Sequence, residues 1–131
     1  MRRPADHITS ARKTLAFARS VLSEAYADKA GREAYLAGFQ AALALILDRT
    51  GKTPKTHSGT RSEFSRLARD EPRLSGEQLA FLGWTYELKT AADYGAERPV
   101  TLMDAVRAID EAAALIDVVE GLLSNGDGPT P

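Results

Sequence analysis

Arg32-Glu33-Ala34-Tyr35-Leu36-Ala37-Gly38-Phe39-Gln40-Ala41-Ala42-Leu43-Ala44-Leu45-Ile46-Leu47-Asp48-Arg49 is apolar on nearly every side when wound as a helix. A helix without a solvated face has to be surrounded by other helices, so this stretch predicts a bundle and places itself at the centre. Its nearly apolar part, Ala34 to Leu47, is 14 residues long and interrupted by Gln40. That is short of the roughly 20 residues that span a bilayer, so the reading is a buried helix and not a membrane span. Ala37, Gly38, Ala41 and Ala44 are small enough to let neighbours approach closely, and Gly51 is placed to end the helix in a left-handed conformation.

Outward from this segment the periodicity is helical throughout. Upstream, Ile8, Ala11, Leu15, Ala18, Leu22 and Ala25 recur at three- and four-residue spacing, which predicts an amphipathic first helix, with a break around Asp28 to Gly31. Downstream, Lys52 to Gly59 reads as a loop, and a short third helix is expected from about Arg61 to Arg69 before Pro72. Ser75 and Gln78 form a capping-box pair that opens a fourth helix running to about Tyr94, with Gly95 as its stop. Arg98-Pro99-Val100 is a turn, and Thr101 is the N-cap of a fifth helix with Asp104 near its positive end. No strand alternation or internal repeat is present. The expectation is an all-α, five-helix antiparallel bundle over residues 1–124, with a disordered tail over 125–131.

Composition restricts the chemistry. The 131 residues suit one domain, and the absence of cysteine excludes disulfides, thiolate metal sites and cysteine nucleophiles. Together with an amino terminus that lacks an apolar signal segment, this points to the cytoplasm. There are two histidines, His7 near an end expected to be flexible and His57, so a histidine-rich metal centre is not expected, and no cofactor motif is visible. Net charge is −1, but from Arg49 to Arg73 seven Lys/Arg face three Asp/Glu, a basic middle able to meet phosphates. Asp110 and Glu111 read as solvated carboxylates that serve solubility.

The fourth helix has two faces. Phe81, Trp84, Leu88, Ala91 and Ala92 make an ordinary core stripe, whereas Leu79, Leu82 and Tyr86 lie on a second stripe that continues to Lys89 and Asp93. Either flanking helices cover both stripes or the second meets another copy of the chain, which would make Leu79, Leu82 and Tyr86 a dimer interface. Lys89 and Asp93 stand four apart in the order that opposes the helix dipole, so stability alone gives little reason for the pair.

Three segments resemble one known superfamily. Arg32 to Ala42 is similar to the second helix of HEPN domains, Thr56-His57-Ser58-Gly59 to a "THSG" turn in one branch, and Leu88-Lys89-Thr90-Ala91-Ala92-Asp93-Tyr94-Gly95 to that branch's "LRxxADYG" helix end. They occur in the expected order. The resemblance implies a dimerising helical bundle of HEPN type with a cleft at the dimer axis, where active relatives cut RNA without metal. It also implies work beside a partner such as a nucleotidyltransferase or antitoxin. Active relatives carry Arg, four to six residues, then His. Here Lys89 stands in the Arg position and no histidine follows it, so the lysine keeps the charge but loses the planar fork, and the usual proton-transfer group is missing.

Three functions therefore stand side by side. One is a non-catalytic or weakly active component of a toxin-antitoxin or defence-type module that binds RNA or a partner protein. Another is a metal-independent endoribonuclease rebuilt from Lys89, Asp93, Tyr94 and His57, with phosphate held by Lys55, Ser58, Gly59 and Arg61. The last is a nucleotide-binding sensor that uses the same turn.

Overall fold

The computed structural model describes residues 2–94 and 99–124, with only the backbone described for Tyr94. The expected stop at Gly95, the turn residue Arg98 and the tail 125–131 lie outside the described residues. Five α-helices and no strand are found among those described: α1 Pro4–Val21, α2 Ala27–Thr50, α3 His57–Ala68, α4 Gly76–Tyr94 and α5 Leu102–Leu122. The expected all-α, five-helix architecture is the observed one.

Helix α2 touches each of the other four, as its all-round apolar surface requires. Tyr35, Leu45 and Ile46 of α2, Phe64 of α3, Phe81 of α4 and Leu115, Ile116 and Val119 of α5 are fully buried around it. Small residues set the closest approach. A Cβ on Gly38 would stand 2.1 Å from Cε2 of Phe81, so this α2 position accepts the Phe81 ring only because it is glycine. Gly51 adopts φ 83° and ends α2, with its N–H donating to the Leu47 carbonyl.

The helix boundaries show where local signals held and where packing overrode them. Ser75 and Gln78 make the expected reciprocal box, the Ser75 N–H donating to Oε1 of Gln78 at 2.8 Å and the Gln78 N–H to the serine oxygen at 3.2 Å. Thr101 and Asp104 do the same for α5, both at 3.0 Å. The break expected at Asp28 to Gly31 is instead helical. Ala27, Ala30 and Gly31 are buried, and Gly31 lies against Leu88 and Val100, so burial and the strong helix preference of the alanines outweigh the poor preference of Gly31. The first helix stops at Val21, short of the expected Ala25, and the Tyr26 N–H donates to the Ser23 hydroxyl in the connecting turn. His57 to Gly59 belong to α3, not to the preceding loop.

Two further expectations are corrected. His7 is not near a loose end but buried in α1, and its Nδ1 has no partner among the described residues. Glu111 is not a plain solvated carboxylate, because it accepts from the Trp84 indole N–H at 2.9 Å and pairs with Arg107 at 2.9 Å, while Arg107 also lies over the Trp84 ring. No helix among the described residues is long and apolar enough to cross a membrane.

Candidate functional site

One end of α4, the first turns of α3 and the N-terminal half of α2 bring together a cluster of aromatic rings and charged groups. The foundation is Tyr35, whose ring is fully buried and whose neighbours Phe39, one turn on, and Tyr86 of α4 pack at centroid distances of 5.9 and 5.7 Å. The exposed His57 ring stacks on Phe39 with centroids 4.2 Å apart and planes 23° from parallel. Arg61 lies flat over Tyr86, its Cζ 3.9 Å from the ring centroid.

Hydrogen bonds join the two through the buried tyrosine. Nη1 of Arg61 donates to the Tyr35 hydroxyl oxygen at 3.5 Å, and that hydroxyl lies 3.3 Å from Nδ1 of His57. Arginine only donates, so the tyrosine oxygen accepts from Arg61 while its own proton is free to point at Nδ1, an arrangement that goes with the neutral imidazole tautomer carrying its N–H on Nε2. Although the residue as a whole is exposed, partial desolvation of its ring lowers the His57 pKa below its ordinary 6.5, and the positive charges of Lys89 and Arg61 push it further the same way. Burial raises Tyr35 above its usual value of 10, against the opposing influence of Arg61.

Beside this stack is an ionic group. Lys89 Nζ and Asp93 Oδ2 are 2.9 Å apart, and Nε of Arg32 donates to the other oxygen, Oδ1, at 2.8 Å. Arg32 also pairs with Glu33 at 2.8 Å. Asp93 thus holds a different cation on each oxygen, and these contacts keep its pKa below the usual carboxylate value, the Lys89 hydrogen bond contributing most. Two cations from two helices are fixed within reach of a single negatively charged group.

The expected site residues therefore separate. Lys89, Asp93, His57 and Arg61 come together. Tyr94 has its side chain outside the described residues. Lys55 is exposed just before α3. Ser58 is in the first turn of α3, its Oγ 3.4 Å from that of Thr56. The Gly59 N–H, expected to meet phosphate, donates to the Thr56 hydroxyl at 2.9 Å, so Thr56 caps α3 and this N–H is engaged within the chain. A Cβ on Gly59 would come to 2.9 Å of that hydroxyl oxygen, which accounts for glycine there. The first N–H groups of a helix have no intrahelical acceptor, and His57 and Ser58 supply them here.

The stripe Leu79, Leu82 and Tyr86 is largely used within the chain. Leu82 is 3% exposed, Tyr86 is sandwiched between Tyr35 and Arg61, and Leu79 is partly buried. Leu82 therefore belongs to the core of the single chain, and the apolar surplus that suggested an interface at that residue is gone.

Arg32, Tyr35 and Phe39 were not expected to serve the site, although their spacing of three and four residues puts them on one face of α2. The apolar character of their helix concealed that face. Comparison with curated proteins found no relative that matches this chain. The family model for the HEPN domain matches residues 5–122, nearly the whole length of this five-helix bundle with its cluster at the ends of α2, α3 and α4; the chain belongs to the HEPN domain family.

Proposed function

We propose that this HEPN domain binds RNA through the phosphate backbone at the Lys89, Arg61 and His57 cluster and does not cut it, acting as the RNA-binding or partner-binding component of a toxin-antitoxin or defence-type module. HEPN domains are typical of toxin-antitoxin and defence ribonucleases. The observation that carries the reading is the Tyr35 hydroxyl on Nδ1 of His57. A neutral imidazole has one lone-pair nitrogen. With the Tyr35 proton directed at Nδ1, that nitrogen is occupied from the buried side, and the ring then offers an N–H donor to an anion and no base to a ribose hydroxyl. Lys89 and Arg61 supply charge, and the first turn of α3 supplies N–H groups.

The test is binding of labelled single-stranded RNA to the unmodified protein, Lys89→Ala and Lys89→Arg. Loss of the lysine should weaken binding by about 1 to 3 kcal/mol, the worth of a charge-assisted contact. Arginine should preserve or strengthen it, since the fork grips a phosphate at two points. Equal affinities for all three proteins would reduce Lys89 and Asp93 to a surface ion pair.

A second reading is supported by the lowered His57 pKa, which keeps the ring mostly neutral near neutral pH, beside Lys89. On that reading the chain is a metal-independent ribonuclease. Transfer and messenger RNA incubated with the protein, with and without EDTA, should remain intact. Cleavage that disappears in His57→Ala would replace the binding module with the enzyme.

A further inference from the structure

Along α3 an open groove of about 640 Å³ is lined by Arg61, Ser62, Ser65 and Arg69 of α3 and by Leu79 of α4. Four of these five side chains carry N–H or O–H donors, and none is an acid. Neither Arg61 nor Arg69 is paired with a carboxylate among the described residues, whereas the neighbouring Arg66 is engaged by Glu63 at 2.6 Å. Helix α3 therefore separates its charges. Arg66 is neutralised, and Ser62, Ser65 and Arg69, which fall within about 60° of one another on the wheel, present donors to the groove.

Arg61 belongs to both places. Its guanidinium face is spent on Tyr86 and one N–H on Tyr35, which fixes it at the junction between the Lys89 cluster and the groove. Arg69 is eight residues further, roughly 12 Å along the helix axis. Arg61 is held at Tyr86 and Tyr35, so a phosphate bound there leaves the exposed Arg69, further along the groove, for a second anionic group.

The geometry points to a second phosphate subsite at Arg69, so that the ligand is a single-stranded polynucleotide running from the Lys89 and His57 cluster past Arg61 along α3, and not a mononucleotide. Leu79 gives the groove an apolar wall on which a sugar or base can rest, and the serine hydroxyls meet backbone oxygens between the two arginines. This inference rests on the reading of the Lys89 cluster as a phosphate site and adds the direction and extent of the strand.

The experiment measures fluorescence anisotropy of a labelled oligouridylate dodecamer, and competition by uridine 5′-monophosphate, on the full chain and on Arg69→Ala, Arg66→Ala and Lys89→Ala. Arg69→Ala should lose about tenfold in dodecamer affinity and lower the slope of log affinity against log salt by about 0.7, the value for one phosphate contact on a single strand. Competition by the monophosphate should not change. Lys89→Ala should weaken both probes, and Arg66→Ala neither. Unchanged dodecamer binding in Arg69→Ala, with the loss confined to Lys89→Ala, would overturn the subsite and leave the phosphate site standing. No loss in Lys89→Ala would remove the phosphate site and the subsite with it. Equal losses in Arg66→Ala and Arg69→Ala would reduce the effect to general charge. Displacement of the dodecamer by polyglutamate of the same charge, as effective as by unlabelled oligouridylate, would show an acidic-protein surface instead.

Discussion

Tyr35 shows how one buried side chain organises exposed chemistry. A ring with no exposure is fixed by packing, and its hydroxyl then fixes whatever it touches, here His57 on one side and Arg61 on the other. His7 is the opposite case, a buried ring whose Nδ1 has no partner among the described residues. Burial lowers its pKa below 6.5, helped by the charge of Arg2 and opposed by Asp6. The folded chain therefore binds fewer protons than the unfolded chain between the folded value and 6.5, and stability rises with pH across that window. The stabilisation is fully present above about pH 6.5 and is lost as pH falls through the folded value, with His57 contributing in the same direction. Thermal melts at pH 7.5 and pH 5 should show a lower midpoint in acid, and His7→Leu should shrink that difference. An undiminished difference in the variant would exclude His7 as a source. Neither role was legible from residue type and position. Histidine near a chain end reads as loose, and tyrosine in an apolar run reads as core, because the burial of the one and the hydrogen-bond partners of the other are decided by helices distant in sequence.

At the scale of the elements, α4 is held by two opposite uses of glycine. Gly38 of α2 leaves the space that Phe81 fills, so Gly38→Ala forces an overlap with a ring that is itself enclosed and should cost about 1 to 3 kcal/mol. Gly83 lies exposed in the middle of α4 with open space where a Cβ would go, so Gly83→Ala should stabilise by about 0.5 to 1 kcal/mol through the helix preference alone. Leu82, beside it, faces the core, and a glutamate there buries a charge without a partner. Leu82→Glu should destabilise by roughly 4 kcal/mol or more. Urea titrations followed by circular dichroism order the three, and a Gly38→Ala variant as stable as the original would show that α2 and α4 can separate. The helices themselves were legible because capping boxes and apolar periods are local, as Ser75 with Gln78 and Thr101 with Asp104 show. The start of α2 was not, since Gly31 gains from contact with Leu88 and Val100, which sequence spacing does not reveal. The Lys89 and Asp93 pair was legible from its spacing, whereas Arg32, the third member, is 61 residues away from Asp93 in the chain.

For the whole molecule, the charge of the candidate site bears on assembly. The family resemblance implies a homodimer with the cleft at the axis, and a twofold axis sets each feature opposite its own copy. The cluster carries three cations, Arg32, Arg61 and Lys89, against the carboxylates of Glu33 and Asp93, with His57 mostly neutral near neutral pH. Two such clusters facing one another repel. Raising salt from 0.1 M to 1 M shortens the Debye length from about 10 Å to about 3 Å and removes most of that repulsion between exposed groups. Light scattering at tens of micromolar should give twice the 14.1 kDa mass of the chain, and sedimentation should give a tighter dimer in the higher salt. Lys89→Gln removes one cation from each side, so the variant should dimerise more tightly in low salt and respond less to its increase. RNA should act in the same direction as salt, since a phosphate shared between the clusters replaces repulsion with attraction. A mass of one chain in both salts would remove the dimer. A dimer that weakens as salt rises would place opposite charges at the interface, and the Lys89 cluster would then lie away from the axis.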